Sequence, residues 1–227
     1  LILVRPGIAA AQDATAASAN TTASVGSIVV NVQGNGGITA DALVATHGAA
    51  MATAADQAAS IFGVPSAQPF VITFLPSVDA AAMTRFRPVH AVAWADPAAR
   101  FAIVDQGAFQ KLTPAEATNV LRNLVSRPAM QRAAGGNLPP GLMDGIARYI
   151  EMPVLAEQAR LGSLVQGAQR GGTLPPLPAI VTGTAPTGST IDAETMTASA
   201  YAFTAFVISR SGVSGVRDLV KAFATAG

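Results

Sequence analysis

Every strand-like segment of this chain lies before residue 112, and only helical patterns follow it. Residues 27–33 (SIVVNVQ) are rich in β-branched side chains and read as a strand. Thr39 or Asp41 can cap a long helix that ends at about Phe62, where Gly63-Val64-Pro65 stops it. Residues 69–75 (PFVITFL) read as a second strand, halted by Pro76. A short helix over 78–86 and strands near 89–94 and 100–105 complete the first half. Thr113-Pro114-Ala115-Glu116 then opens a helix, with Thr as N-cap, Pro at the first helical position and Glu three residues past the cap. Helices are expected near 114–132, 140–150, 152–167, 193–209 and 213–224, with Gly212 between the last two. Mixed strands and helices followed by helices alone imply an α+β fold.

Composition limits the function classes. Half the residues are hydrophobic and 12% are charged, so the chain can bury a core and is not a disordered one. A formal net charge of +1 gives no footprint for nucleic acid. Arg122, Arg127 and Arg132, five apart, read as a solvated face. The absence of cysteine removes disulfides, thiolate metal sites and cysteine nucleophiles together. No apolar run is long enough to span a bilayer as a helix. Leu1-Ile2-Leu3-Val4, followed by Ala9-Ala10-Ala11-Gln12, reads as the tail of a signal peptide, which predicts export to the cell envelope or beyond. Residues 12–25, rich in Ala, Ser and Thr, read as a linker. The expected organisation is a signal-peptide remnant or disordered tail over 1–26 and one domain over 27–227. Its sheet-bearing part covers 27–112 and its helical part 113–227.

Several partial motifs carry no chemistry. Gly34-Asn35-Gly36-Gly37 lacks the third glycine of a dinucleotide loop and the lysine of a phosphate loop, so it reads as an ordinary turn. No Gly-x-Ser-x-Gly elbow exists to present a serine nucleophile. His47, on the Ala-rich first helix, reads as a partly buried or surface histidine. Asp144 and Glu151 share a helical face about 10 Å apart, a surface pattern as readily as a catalytic pair. Leu174-Pro175-Pro176-Leu177-Pro178 reads as a rigid surface loop.

The segment LPPGLMDGIARY, Leu138 to Tyr149, resembles the LPxWLxEGLAxY signature of gluzincin-type metallopeptidases, the peptidase MA-like group. The resemblance extends in order along the chain. Phe62-Gly63-Val64-Pro65 leads into a strand, Val92-Ala93-Trp94 and the run from Phe101 to Asp105 fit paired strands, and the helix bearing Tyr201 is similar to a late family helix. It implies a zincin-like α+β fold with a groove suited to peptide. In the family, a helix carrying HExxH precedes the signature. Here Arg122-Asn123-Leu124-Val125-Ser126 takes that place, with Asp144 at the third ligand position and Tyr201 at a tyrosine that assists catalysis.

A catalytic zinc site needs three ligands drawn from His, Cys, Asp and Glu. HExxH supplies two from one helical face, with a glutamate base between them. Arg122 offers a fixed positive charge and no lone pair, Asn123 is no base, and Ser126 is a poor ligand. The resemblance therefore implies a pseudoenzyme with no catalytic residue, no metal-binding residue and no zinc. Its expected partner is a peptide or protein in the inherited cleft. If the fold is kept, Arg122 and Asp144 are expected to pair where the metal sat, with Asn123 and Ser126 around them. An active hydrolase with an unrecognised site and a structural cell-envelope module are the alternatives.

Overall fold

The computed structural model describes residues 20–34, 37–66, 68–96, 98–151 and 155–225. The signal-peptide reading of residues 1–12, the expected tail as far as residue 19 and the middle of the Gly34–Gly37 turn lie outside them. Six strands form one sheet: β1 (Thr21–Val25), β2 (Ile28–Val32), β3 (Phe70–Leu75), β4 (Arg87–His90), β5 (Ala93–Ala95) and β6 (Phe101–Asp105), in the order β1-β2-β3-β6-β5-β4. Strands β2, β3 and β6 run parallel, and antiparallel hairpins extend the sheet at both ends. The helices are α1 (Ala40–Phe62), α2 (Gln106–Phe109), α3 (Pro114–Ala133), α4 (Pro140–Ile150), α5 (Leu155–Arg170), α6 (Leu177–Thr182) and α7 (Ala193–Ala222). The class is α+β, and among the described residues every strand precedes α3 in the chain.

Local chemistry explains most helix boundaries. The Thr39 hydroxyl accepts from the Ala42 amide to start α1, and Gly63 ends it in the left-handed region at φ 65°. Thr113 and Glu116 form a reciprocal capping box at the start of α3. At Gly212 the backbone leaves helical geometry (φ 65°, ψ −174°), so α7 is two helical arms across a kink, as its glycine predicts.

Five local readings need correction. The strand expected near 89–94 is a hairpin, in which β4 turns at 91–92 into antiparallel β5. The sheet begins at Thr21, inside the stretch read as a linker. Thr21, Ala23 and Val25 alternate with exposed Thr22 and Ser24, a weak edge-strand pattern that composition hides. Over 78–86 only a short 3₁₀ turn forms, Ala80–Ala82, capped by Asp79. The proline-rich stretch contains α6, whose prolines occupy the cap and first turn, where a missing N–H costs nothing. The four-residue α2 went unread.

Two cores meet along α1 and α3. In the first, Val30, Ile72, Phe74 and Val104 of the sheet pack on Leu43 and Met51 of α1 and on Leu121 and Leu124 of α3. The second joins Phe62, Met130, Leu142, Ile146, Val216 and Val220. So α3 is the hinge between the sheet-bearing and helical parts, and α4 is seated in the helical part beside it. Gly141 and Gly145, four apart on α4, allow that seating. A Cβ on Gly145 would lie 2.3 Å from the Ala200 carbonyl oxygen of α7, and one on Gly141 2.0 Å from the Ile180 carbonyl oxygen of α6. These neighbours are backbone and cannot rotate away. Gly145→Ala is expected to lower stability by about 1–3 kcal/mol through forced separation of α4 and α7. An unchanged urea-unfolding midpoint would show that the two helices have slack.

Candidate functional site

Where α3, α4 and the edge strand β4 approach one another, arginines converge on one carboxylate. Asp144 of α4 accepts from Arg127 of α3 (Nη1 to Oδ1, 2.9 Å) and from Arg87 of β4 (Nε to Oδ2, 2.8 Å). Arg87 Nη2 lies 2.7 Å from the same Oδ2 and also donates to the Gly183 carbonyl beyond α6 at 3.2 Å. Arg127 is only 2% exposed. Its Nε donates to Asn123 Oδ1 at 3.0 Å, one helical turn earlier. Asn123 then donates from Nδ2 to Glu151 Oε2 at 2.9 Å. Arg148 joins Glu151 to Glu157, and Arg160 joins Glu157 to Glu194 at the start of α7. A single chain of charges thus runs from β4 through α3, α4 and α5 to α7.

Burial sets the charge states along that chain. Desolvation pulls the Arg127 guanidinium below its ordinary value, and the Asp144 charge opposes the shift. Glu151 is buried and is pushed up to about 7 by desolvation, against the pull of Arg148 and the Asn123 hydrogen bond. The hydrogen bond from Arg160 holds Glu157 below the usual carboxylate range. His90, at the end of β4, falls to about 4, first by burial and then by the Arg148 charge.

The expected site residues are brought together in part. Asp144 does meet an arginine, but the partner is Arg127, with Arg87 as a second. Arg122 is half-buried and makes no hydrogen bond or ion pair among the described residues. Burial of Arg127 also corrects the reading of Arg122, Arg127 and Arg132 as one solvated face; Arg132 alone of them is exposed, donating to Gln68. Asn123 belongs to the cluster. Ser126 is buried, and its hydroxyl donates back to the Asn123 carbonyl at 2.9 Å. Tyr201 stacks on Tyr149 at 6.3 Å between ring centroids, and burial raises its phenol above the ordinary value. His47 is buried, 3.0 Å from the Thr118 hydroxyl and edge-on to Phe109, which makes it a core histidine.

Arg87, Arg148 and the linking role of Glu151 were not anticipated. The four-residue spacing of Asn123 and Arg127 and the three-residue spacing of Arg148 and Glu151 each carried a local signal.

The donor set does not fit a zinc ion. Of Asn123, Arg127 and Asp144, only Asp144 has ligand chemistry, and guanidinium groups engage both its oxygens. Among the described residues no group of three or more His, Asp or Glu side chains is placed to hold a metal. Nor is any helix among them long and apolar enough to cross a membrane. No family model, curated protein or solved structure matches the chain.

Proposed function

We propose that this protein is a catalytically inactive, metallopeptidase-like domain whose remaining cleft binds an extended ligand such as a peptide. One observation carries the reading: the buried guanidinium of Arg127 sits between Asn123 and Asp144, which converge from α3 and α4. In the gluzincin-like pattern, two ligands four apart on a helix meet a third from the downstream signature. Asn123, Arg127 and Asp144 have that spacing and that convergence. The register is therefore one residue later than the Arg122–Ser126 alignment, with Leu124 at the place of the base. On this reading a cation fixed to the chain stands where the family carries its metal, and Leu124 supplies no base at the place of the glutamate. Export, read from residues 1–12, belongs to the same proposal.

Zinc content tests it. Protein refolded with excess zinc and then desalted is expected to retain far less than one equivalent, and to leave peptides uncleaved. One zinc per chain, or hydrolysis abolished by Asp144→Ala, would return the protein to the active peptidases.

A further inference from the structure

A cavity of about 320 Å³ opens beside the Asp144 cluster, lined by Arg85, Phe86, Arg87, Val89, Arg127 and Met143 among others. Arg127 is a buried wall residue whose hydrogen bonding is incomplete. Its Nε and Nη1 are engaged, while Nη2 has no partner among the described residues. A buried donor left unpaired is costly, and although Nη2 is closed to solvent in this conformation, a small turn of the Arg127 side chain toward the cavity would let a ligand acceptor remove that cost. Arg85, exposed at the rim, makes no ion pair among the described residues. On the acidic side, Asp144 is shared by Arg87 and Arg127, and Asp96 accepts from the Arg100 amide through Oδ1. Three guanidinium groups therefore face two carboxylates, leaving a single positive charge in excess. The rest of the wall is apolar, supplied by Phe86, Pro88, Val89, Pro140 and Met143.

We infer that this cavity binds a ligand bearing one carboxylate on an apolar body, with the carboxylate on Arg127 and Arg85 and the body against Phe86, Val89 and Met143. A singly charged acceptor matches the excess charge, and a carboxylate matches the planar fork of a guanidinium. Small apolar acids and the C-terminal carboxylate of a peptide share this chemistry. The inference rests on the ligand-binding reading above and names what the cleft recognises.

Calorimetric titration of the whole chain, with labelled Met143 methyl resonances followed by NMR, tests the inference. The probes are 3-phenylpropionate, N-acetyl-alanyl-phenylalanine and the C-terminal amide of that dipeptide. The acids are expected to bind and to shift Met143, with the amide at least about tenfold weaker, the scale of one charge-assisted hydrogen bond. Similar affinity for both acids identifies a small-acid site, and a clear preference for the dipeptide identifies a peptide C-terminus; both support the carboxylate. Arg85→Ala, at an exposed position, is expected to weaken acid binding several-fold and to leave the melting temperature unchanged. Equal binding of acid and amide at Met143 would overturn the carboxylate inference yet leave a ligand-binding cleft in place. Inorganic phosphate outcompeting the acids, or no shift at Met143 with any probe, would also overturn it. Zinc uptake, measured separately, would overturn the pseudoenzyme reading alone.

Discussion

Asp144→Ala is expected to cost about 3–5 kcal/mol of folding stability, the scale for removing one partner of a buried ion pair. Both carboxylate oxygens are engaged by arginine: Oδ1 by Arg127, and Oδ2 by Arg87. Arg87 is 30% exposed and can turn toward water, so its loss is small. Arg127 has no such outlet. It would keep one hydrogen bond, to Asn123, and a charge buried between the two cores. Asp144→Asn retains an acceptor but not the charge, so it should fall between alanine and wild type. The double variant Arg127→Met, Asp144→Ala should recover much of the loss, because a methionine asks for no counter-charge at a buried position. Urea unfolding of the three variants reads the series directly. A loss below about 1 kcal/mol for Asp144→Ala, the level of a surface pair, would mean that solvent reaches Arg127.

The same ion pair shows how far the sequence could be read. That an arginine of α3 meets Asp144 follows from the spacing of the signature and the helix before it. Which arginine does so depends on helical phase. Arg122 and Arg127 point about 140° apart at 3.6 residues per turn, so choosing between them requires knowing the buried face. An amphipathic helix would display that face as a stripe. Almost every residue of α3 from Val120 to Gln131 is buried, because the helix lies between the sheet, α1 and α4. Its apolar residues keep largely to one half of the helix, but Asn123, Ser126, Arg127 and Gln131 are buried as well, polar residues that periodicity assigns to solvent.

The long helices were legible for the opposite reason. Thr39, Gly63, the Thr113–Glu116 box and Gly212 act within a few residues of themselves. The charged chain has two local links, Arg148–Glu151 and Arg160–Glu157, but the links that join its elements, such as Arg87 with Asp144 and Arg160 with Glu194, are far apart in sequence, and no local rule pairs them. Edge strand β1 escaped notice because Thr, Ala and Ser suffice on an edge whose inward face is only half-buried.

Replacing Glu151 by Gln is expected to turn a flat stability profile into a steep one between pH 4.5 and 7. The two groups with the large shifts act in opposite senses over that window, and burial of His47 adds a lesser slope on the side of His90. The Glu151 carboxyl is raised to about 7 in the fold from an ordinary value of 4.5. Its stabilising contribution is complete below 4.5 and is lost as pH rises through 7, because the unfolded chain ionises first. The His90 imidazole is lowered to about 4 from 6.5. Its contribution is complete above 6.5 and is lost as pH falls toward 4, because the unfolded chain is protonated first. Each shift is worth about 3 kcal/mol at about 1.4 kcal/mol per unit. In the native protein the two slopes largely cancel, and the carboxylates held below their ordinary range act beneath this window. Glu151→Gln removes the falling slope, so stability should rise by about 3 kcal/mol from pH 4.5 to 7. His90→Gln removes the rising slope, so stability should fall by a similar amount. Urea midpoints at four pH values decide the matter for both variants. A flat profile for His90→Gln would mean that the fold does not raise the Glu151 carboxyl, and a flat profile for Glu151→Gln that it does not lower the His90 imidazole.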